Sequence, residues 1–246
     1  NENVVEKLDE VGAKVVDSLD QVPDGKPILF RAHGTHTDTW EKAKNKDMNI
    51  IDATCPLVEE IHDEIKMLEK EGRKIFIIGD HGHDEVVGIA SQVENAIIIA
   101  TPEEARALRK TKKAGIVSQS TQTIENVQEI INILMSKVFD LRFVNTICFP
   151  TKRNQEQLKE LANVCDLMIV IGSYTSANSK RLTQLAKERN VNSYQVTCAK
   201  DVRKSWLQNI DTVGISAGAS TPDNIINEVI EKIKGITRVE KEMIYE

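Results

Sequence analysis

The chain has 246 residues, an apolar fraction of 40% and a formal net charge of -6, which is typical of a globular protein with one large domain or a few small ones. No apolar run approaches the length that spans a bilayer, and no signal-peptide pattern occurs at the start. The acidic balance argues against a nucleic-acid surface, and four cysteines without tight pairing spacings indicate cytoplasmic thiols rather than a disulfide framework.

Strand-like apolar runs alternate with helical segments along the chain. The predicted strands are 27–31, 48–53, 74–79, 96–100, 114–118, 142–147, 167–172, 193–197 and 212–216. Segment 56–71 predicts an amphipathic helix, because its apolar residues recur at helical spacing before a glycine. Thr101 and Thr221, each followed by proline, predict two further helix starts. This alternation predicts an α/β fold with small parallel sheets that helices cover on both faces.

A cysteine follows a strand-like run at two places. Cys55 precedes Pro56, and Cys148 precedes Phe149 and Pro150. A thiol beside a helix amino terminus is favoured as the thiolate, the form that binds iron or zinc. The two placements suggest a soft metal site, although two small buried core residues would produce the same pattern. Cutting the chain after each cysteine predicts three units, 1–55, 56–148 and 149–235, with 236–246 as a tail.

Small polar residues follow most of the predicted strands, as in segments 118–121, 172–179 and 216–221. Ligands of open parallel sheets bind beyond the carboxyl ends of the strands. Hydroxyl groups, amides and helix amino termini are good partners for phosphate oxygens. These residues therefore predict a phosphate site, with helix capping as the simpler alternative for any single loop.

Two histidines and a glutamate lie in loops that follow strands. His33 and His83 have glycine neighbours and could donate hydrogen bonds to a diphosphate or transfer protons. Glu85 could relay a proton if its carboxyl group is buried, or could be an ordinary helix-start glutamate. The remaining histidines are predicted to have packing, surface or loop-supporting roles: His36, His62 and His81.

Five ordered motifs, at 52–58, 82–88, 118–121, 178–182 and 216–223, resemble those of hydroxymethylbutenyl diphosphate reductase, the LytB/IspH family. The resemblance extends from residue 1 to about residue 235. It implies three pseudo-symmetric α/β units around a central 4Fe-4S cluster, with one cysteine from each unit. By this match Cys55 and Cys148 are cluster ligands, whereas Cys165 and Cys198 match no ligand position.

The resemblance also implies the roles of the other site residues. Glu85 and His83 would be catalytic, with Glu85 in proton delivery, and Ser120 stands where the family usually has threonine. The substrate would bind to residues from several loops: His33, His83, Ser120, Ser176, Asn178 and Ser220.

The implied reaction is the reductive dehydroxylation of an allylic diphosphate, 4-hydroxy-3-methylbut-2-enyl diphosphate, in the non-mevalonate isoprenoid pathway. Its products are isopentenyl and dimethylallyl diphosphates. An external donor such as ferredoxin or flavodoxin is implied, because no Gly-x-Gly-x-x-Gly fingerprint opens a helix. Two alternatives stay open: an iron–sulfur enzyme like quinolinate synthase, and a homologue that binds diphosphates without catalysis.

The chain departs from the family pattern in three respects. The family's amino-terminal strand, with its cysteine-bearing turn, is not in this sequence, and neither is the histidine that normally precedes the position of Asn1. Ala177 occupies a position where the family commonly has serine. We therefore expect the 246-residue chain alone to retain little cluster, to be inactive and to aggregate through an unpaired strand edge.

Overall fold

The computed structural model describes residues 2–23 and 25–244, with side chains described from residue 5 to residue 237 apart from residue 24. The chain divides into two compact units, one of Val15–Cys148 and one of Asn1–Lys14 with Phe149–Glu246. The strands of the described residues form three sheets, and every strand pair is parallel. No helix among these residues is long and apolar enough to cross a membrane.

The unit Val15–Cys148 begins with a two-stranded sheet. The elements of this part are β1 (Ile28–Phe30), α2 (Thr37–Asn45) and β2 (Ile50–Asp52), preceded by a short 3-10 helix, Leu19–Gln21. Strands β1 and β2 pair with Ile28 opposite Ile50. The core beside them is small, and Phe30 meets Trp40 edge to face with ring centroids 4.8 Å apart.

The second sheet of this unit has four strands in the order β4-β3-β5-β6. Its strands are β3 (Lys74–Ile78), β4 (Ala96–Ile99), β5 (Thr111–Ser118) and β6 (Val138–Phe143). Its helices are α3 (Pro56–Lys70), α4 (Asp84–Ala90), α5 (Pro102–Ala107) and α6 (Ile124–Met135). Alternate side chains of β3 point to opposite faces. Ile75 and Ile77 pack with α3 and α4, whereas Phe76 and Ile78 pack with α5 and α6.

The other unit contains a three-stranded sheet in the order β8-β7-β9. Its elements are α1 (Glu2–Glu10), α7 (Phe149–Val164), β7 (Leu167–Ile171), α8 (Ala177–Lys187), β8 (Ser193–Val196), β9 (Val213–Ala217) and α9 (Asp223–Ile244), with 3-10 helices at Ala199–Asp201 and Lys204–Leu207. Strand β7 is buried on both faces. Ile169 packs on the side of α9, and Met168 and Val170 pack on the side of α7 and α8.

The α/β fold with small parallel sheets flanked by helices is confirmed, and nearly all the predicted strands lie at the predicted places. The sixth strand is misplaced in the prediction, at 142–147 instead of Val138–Phe143. The reason is that the Thr146 hydroxyl accepts a hydrogen bond from Ser118 N (2.7 Å) and donates one to Ser118 O (2.6 Å). A side chain thus replaces strand pairing at the end of β5.

Each of the three sheets lies within one of the predicted units 1–55, 56–148 and 149–235, whose boundaries stay predictions. The segment predicted as a tail, 236–246, continues helix α9 as far as Ile244. The two helix starts predicted after threonine are confirmed at Pro102 and Asp223. At the first of them, the Thr101 side chain accepts a hydrogen bond from Glu104 N and so caps the helix.

Packing of α3 on the second sheet requires a glycine in β5. A Cβ atom at Gly115 would lie 2.9 Å from Leu68 Cβ and 3.1 Å from each Leu68 Cδ atom. We expect Gly115→Ala to lower the free energy of unfolding by about 1–3 kcal/mol, because over-packing displaces core side chains. Urea unfolding would measure this change.

The matched control is Gly235→Ala in helix α9, where no described atom lies within 4 Å of the added Cβ. This substitution should raise the free energy of unfolding by up to about 1 kcal/mol, because alanine favours helix over glycine. Equal stability of Gly115→Ala and the unsubstituted chain would show that α3 does not pack as described.

Candidate active site

A buried carboxylate, Glu85, lies at the centre of the candidate site. Its residue is only 1% exposed, although it stands in the first turn of α4. Its Oε1 accepts a hydrogen bond from Ser120 N at 2.5 Å, and its Oε2 accepts one from Ser120 Oγ at 2.9 Å. Burial of a carboxylate is unfavourable unless its oxygens find donors. Glu85 is therefore not an exposed helix-start glutamate: its side chain joins α4 to the loop after β5.

His83 caps the same helix. Its Nδ1 accepts a hydrogen bond from Glu85 N at 3.2 Å. Because Nδ1 accepts, the proton of a neutral His83 ring is on Nε2. The capping role thus fixes which nitrogen can donate to a ligand.

His33 lies beside His83. The two ring centroids are 5.6 Å apart, and the rings meet edge to face. An ion pair of 3.0 Å joins Arg31, at the end of β1, to Asp84, at the start of α4. Although His33 is exposed, desolvation by neighbouring protein atoms lowers the pKa of its imidazole, and repulsion from His83 lowers it further. The neutral ring is thus favoured here in the absence of a bound anion.

The two cysteines of the predicted metal site contact these same loops through their backbones. Cys55 stands at the start of α3 with no side-chain capping bond, and its N–H donates to Ala32 O at 3.0 Å. Cys148 directly precedes α7, and its N–H donates to Ser120 O at 2.9 Å. Both residues are half-buried. The structure therefore places Cys55 beside the loop that carries His33, and Cys148 beside Ser120, the hydrogen-bond partner of Glu85.

A cysteine-bound iron–sulfur cluster fits these two thiols in part. All four cysteines lie in the described part of the chain, and none of them forms a disulfide. Cys55 and Cys148 are half-buried, and thiolates are the usual ligands of such clusters. Among the described residues, no group of three His, Cys, Asp or Glu side chains is close enough to hold a metal ion. The described residues therefore offer two half-buried thiols and no assembled third ligand.

The remaining predicted residues lie in the other unit, at the start of α8 and in the loop before α9. The Ser176 side chain caps α8 by accepting a hydrogen bond from Ser179 N at 3.3 Å. Asn178 lies in the first turn of α8 and is half-buried, and Ser220 is exposed in the loop before α9. Helix capping thus explains the hydrogen bond between Ser176 and Ser179. The binding of a diphosphate by Ser176, Asn178 and Ser220 stays a prediction.

Close packing joins the loop after β7 to the loop after β9. Gly172 and Gly218 both lie against the side chain of Ser179, where a Cβ atom on either would clash. Gly218 N and Thr221 Oγ1 both donate to Ile171 O, at 2.9 and 3.1 Å. The loops after β7 and β9 are therefore held against each other.

Gln195 of β8 is a supporting residue that the sequence did not reveal. Its Nε2 donates to Gly172 O at 3.1 Å and to Ser173 O at 2.9 Å. These bonds hold the carbonyl groups of the loop that precedes Ser176. An isolated glutamine in a strand belongs to no motif, so its role follows only from the pairing of β7 with β8.

A family model described as LytB protein matches residues 1–234. The chain belongs to the LytB family. It is 38% identical over 234 residues to the 4-hydroxy-3-methylbut-2-enyl diphosphate reductase of Geobacter metallireducens. The aligned region covers 95% of this chain and 83% of that protein. It is 37% identical over 240 residues to the reductase of the same name from Campylobacter lari, covering 97% and 86%.

Solved structures of LytB-family reductases have the same fold. The E-1-hydroxy-2-methyl-but-2-enyl-4-diphosphate reductase of Plasmodium falciparum matches with a TM-score of 0.90 at 31% identity, over 94% of this chain and 74% of that one. A second reductase structure, named as the terminal enzyme of the non-mevalonate pathway, matches with a TM-score of 0.64 at 33% identity, over 96% and 85%.

The histidines of the site predict how stability depends on pH. Desolvation lowers the pKa of the exposed His33 and of the half-buried His62 below the ordinary value of 6.5, with added repulsion from His83 and Lys66 respectively. Below about pH 6.5 the unfolded chain therefore binds more protons than the folded one, and the free energy of unfolding falls as the pH decreases.

We expect the free energy of unfolding of His33→Gln to decrease less between pH 7 and pH 5 than that of the unsubstituted protein. In a double variant with His62→Gln, the decrease should be smaller still. Urea unfolding at several pH values measures this slope. An unchanged slope in the double variant would show that neither ring is held in the neutral form by the fold.

Proposed function

We propose that this chain, when joined to the family's amino-terminal cysteine segment, catalyses the reduction of 4-hydroxy-3-methylbut-2-enyl diphosphate to isopentenyl and dimethylallyl diphosphates, the substrate for which its relatives are named. The observation that carries the proposal is the buried Glu85–Ser120 pair. It lies between a histidine that can donate to a phosphate, His83, and a cysteine at a helix start, Cys148. An acid, an anion-binding group and a metal-binding thiol are what a reductive loss of hydroxyl requires.

The histidines would bind the diphosphate. His83 offers a fixed Nε2–H, and His33 stands next to it. An approaching diphosphate favours the protonated form of an imidazole, so binding would reverse the preference of His33 for the neutral ring. The further contacts proposed for the diphosphate come from Ser176, Asn178 and Ser220, on hydroxyl and amide groups at strand ends.

Glu85 and Ser120 would deliver a proton. When Glu85 carries a proton, its O–H can donate to Ser120 Oγ, and the Ser120 hydroxyl can then donate to the hydroxyl group of the substrate. Transfer along this pair converts the substrate hydroxyl into water as its C–O bond breaks. Burial keeps bulk water away from the carboxyl group, so the proton passes through Ser120.

Cys55 and Cys148 would hold an iron–sulfur cluster, which supplies electrons and a Lewis-acidic iron for the substrate hydroxyl when it is bound. Both thiols stand at helix amino termini. Cys165 has different surroundings. Burial raises the pKa of its thiol, and repulsion from Asp166 adds to this. Both effects disfavour the thiolate of Cys165 in the absence of a metal.

Glu85→Gln tests the proton route. Glutamine keeps the size of the side chain and an oxygen for Ser120, but carries no acidic proton. In the holoenzyme we expect the substrate Kd to stay nearly unchanged and kcat to fall by about a hundredfold or more. Steady-state turnover with a chemical reductant, together with substrate titration, separates the two effects.

The control is Glu103→Gln, an exposed carboxylate on α5 that pairs with Arg106, and it should keep full activity. Wild-type turnover by Glu85→Gln would exclude Glu85 from proton delivery.

The cysteine assignment predicts which thiols are needed for iron. After anaerobic reconstitution, Cys55→Ser and Cys148→Ser should lose most of the bound iron, because a serine hydroxyl is a poor ligand for it. Cys165→Ser and Cys198→Ser are the matched controls and should keep it. Iron content and the visible absorption of the thiolate–iron bonds report the result without an activity assay. Full iron content in Cys148→Ser would refute its role as a ligand.

A further inference from the structure

One segment of this acidic chain is strongly basic. Residues 180–204 contain seven cations against two carboxylates, Glu188 and Asp201, whereas the whole chain has a net charge of -6. The cations are Lys180, Arg181, Lys187, Arg189, Lys200, Arg203 and Lys204. The segment covers most of α8, all of β8 and the start of the 3-10 helix Lys204–Leu207. Positive charge is therefore concentrated on one part of one unit.

Part of this segment lines an open cleft of about 550 Å³, here called the basic cleft. It is defined by Tyr174, Lys187, Tyr194, Lys200, Arg203 and Trp206. The rings of Tyr194 and Trp206 are stacked, with centroids 4.0 Å apart and planes 3° from parallel. The guanidinium of Arg203 lies over Trp206, 5.6 Å from its ring centroid. Stacked aromatic rings beside arginine are typical of protein interfaces.

The protein neutralises only part of the positive charge of the cleft, which three cations and one carboxylate line. Asp201 is the one carboxylate that lines the cleft. Its Oδ2 accepts hydrogen bonds from Thr197 N at 2.7 Å and Thr197 Oγ1 at 2.8 Å. Within the described part of the chain, no ion pair joins Lys187, Lys200 or Arg203 to an acidic side chain. All three cations are exposed. The cleft is therefore complementary to an acidic surface.

The cleft adjoins a loop of the proposed active site. The Tyr174 hydroxyl donates to Gln195 O at 3.2 Å, and the Gln195 amide holds Gly172 O and Ser173 O. Tyr174 itself belongs to the loop that leads to Ser176, a proposed diphosphate contact. A partner seated in the cleft would thus lie beside a loop of the proposed substrate site.

We propose that the basic cleft is the docking surface for an acidic electron-transfer protein, an inference that rests on the proposed function. The reaction breaks a C–O bond, forms a C–H bond and releases water, so each turnover consumes two electrons and two protons. The sequence has no dinucleotide fingerprint to bind a hydride donor. A reduced carrier protein can supply these two electrons, through two one-electron oxidations or one two-electron oxidation of that carrier.

Charge complementarity suits such a partner. Redox complexes are transient and small, and opposite charges at the rim speed their encounter. The aromatic stack supplies the apolar centre of the contact, and Lys187, Lys200 and Arg203 supply its charged rim.

The test is a double charge reversal, Lys187→Glu with Arg203→Glu, in the holoenzyme, with reduced acidic flavodoxin or reduced methyl viologen as the electron donor. With flavodoxin, we expect kcat/KM for the donor to fall by about tenfold or more, and its decrease with added salt to become shallower. With methyl viologen, a small molecule that needs no docking surface, the rate should not change.

The matched control reverses two exposed lysines of the other unit, Lys110→Glu with Lys112→Glu, which changes the net charge by the same amount. It should leave the flavodoxin kinetics nearly unchanged. Loss with both donors in the cleft variant, or an equal loss in the control variant, would overturn the proposal.

Calorimetric titration of the protein with oxidised flavodoxin tests the docking surface independently of the proposed reaction, because it measures binding without turnover. Binding that weakens in the cleft variant alone supports the docking surface even if no product forms, and unchanged binding refutes it. Absence of product with methyl viologen in the unsubstituted holoenzyme would instead refute the proposed function.

Discussion

The site depends on the two hydrogen bonds by which Ser120 satisfies the carboxylate of Glu85. A carboxylate this deeply buried would cost several kcal/mol without such donors. The same two residues hold the neighbouring groups in place, because Glu85 N binds the ring of His83 and Ser120 O accepts from Cys148 N. One buried pair thus fixes the positions of an acid and a histidine at the start of α4 and of a cysteine that directly precedes α7.

Much of the fold could be predicted because local signals agree with the tertiary structure. Near-continuous apolar strands such as β3 and β7 can be buried on both faces only in covered parallel sheets. Pro56 and Pro102 stand at the first helical position, where the fixed backbone angle of proline favours a helix start. The prediction failed at β6, where the Thr146 side chain ends the pairing with β5. A hydrogen bond between residues 28 positions apart leaves no local pattern in the sequence.

The sequence indicates the candidate site residues one by one, and their roles stay predictions; it does not indicate the hydrogen bonds that join them. The motifs indicate Glu85 and Ser120 separately, and their contact spans 35 positions that no periodicity relates. Gln195 lies outside every motif, and so do the stacked rings of Tyr194 and Trp206. Such contacts arise from sheet order, because β8 pairs with β7 and thereby brings its side chains to the loop after β7.

A crystal structure of the holoenzyme with bound 4-hydroxy-3-methylbut-2-enyl diphosphate tests this account most directly. The account predicts that the substrate hydroxyl lies within hydrogen-bond distance of Ser120 Oγ, about 3 Å, with the Glu85–Ser120 pair intact. It also predicts diphosphate oxygens at the same distance from Nε2 of His83. A diphosphate bound away from His33 and His83, or a substrate hydroxyl without contact to Ser120, would contradict it.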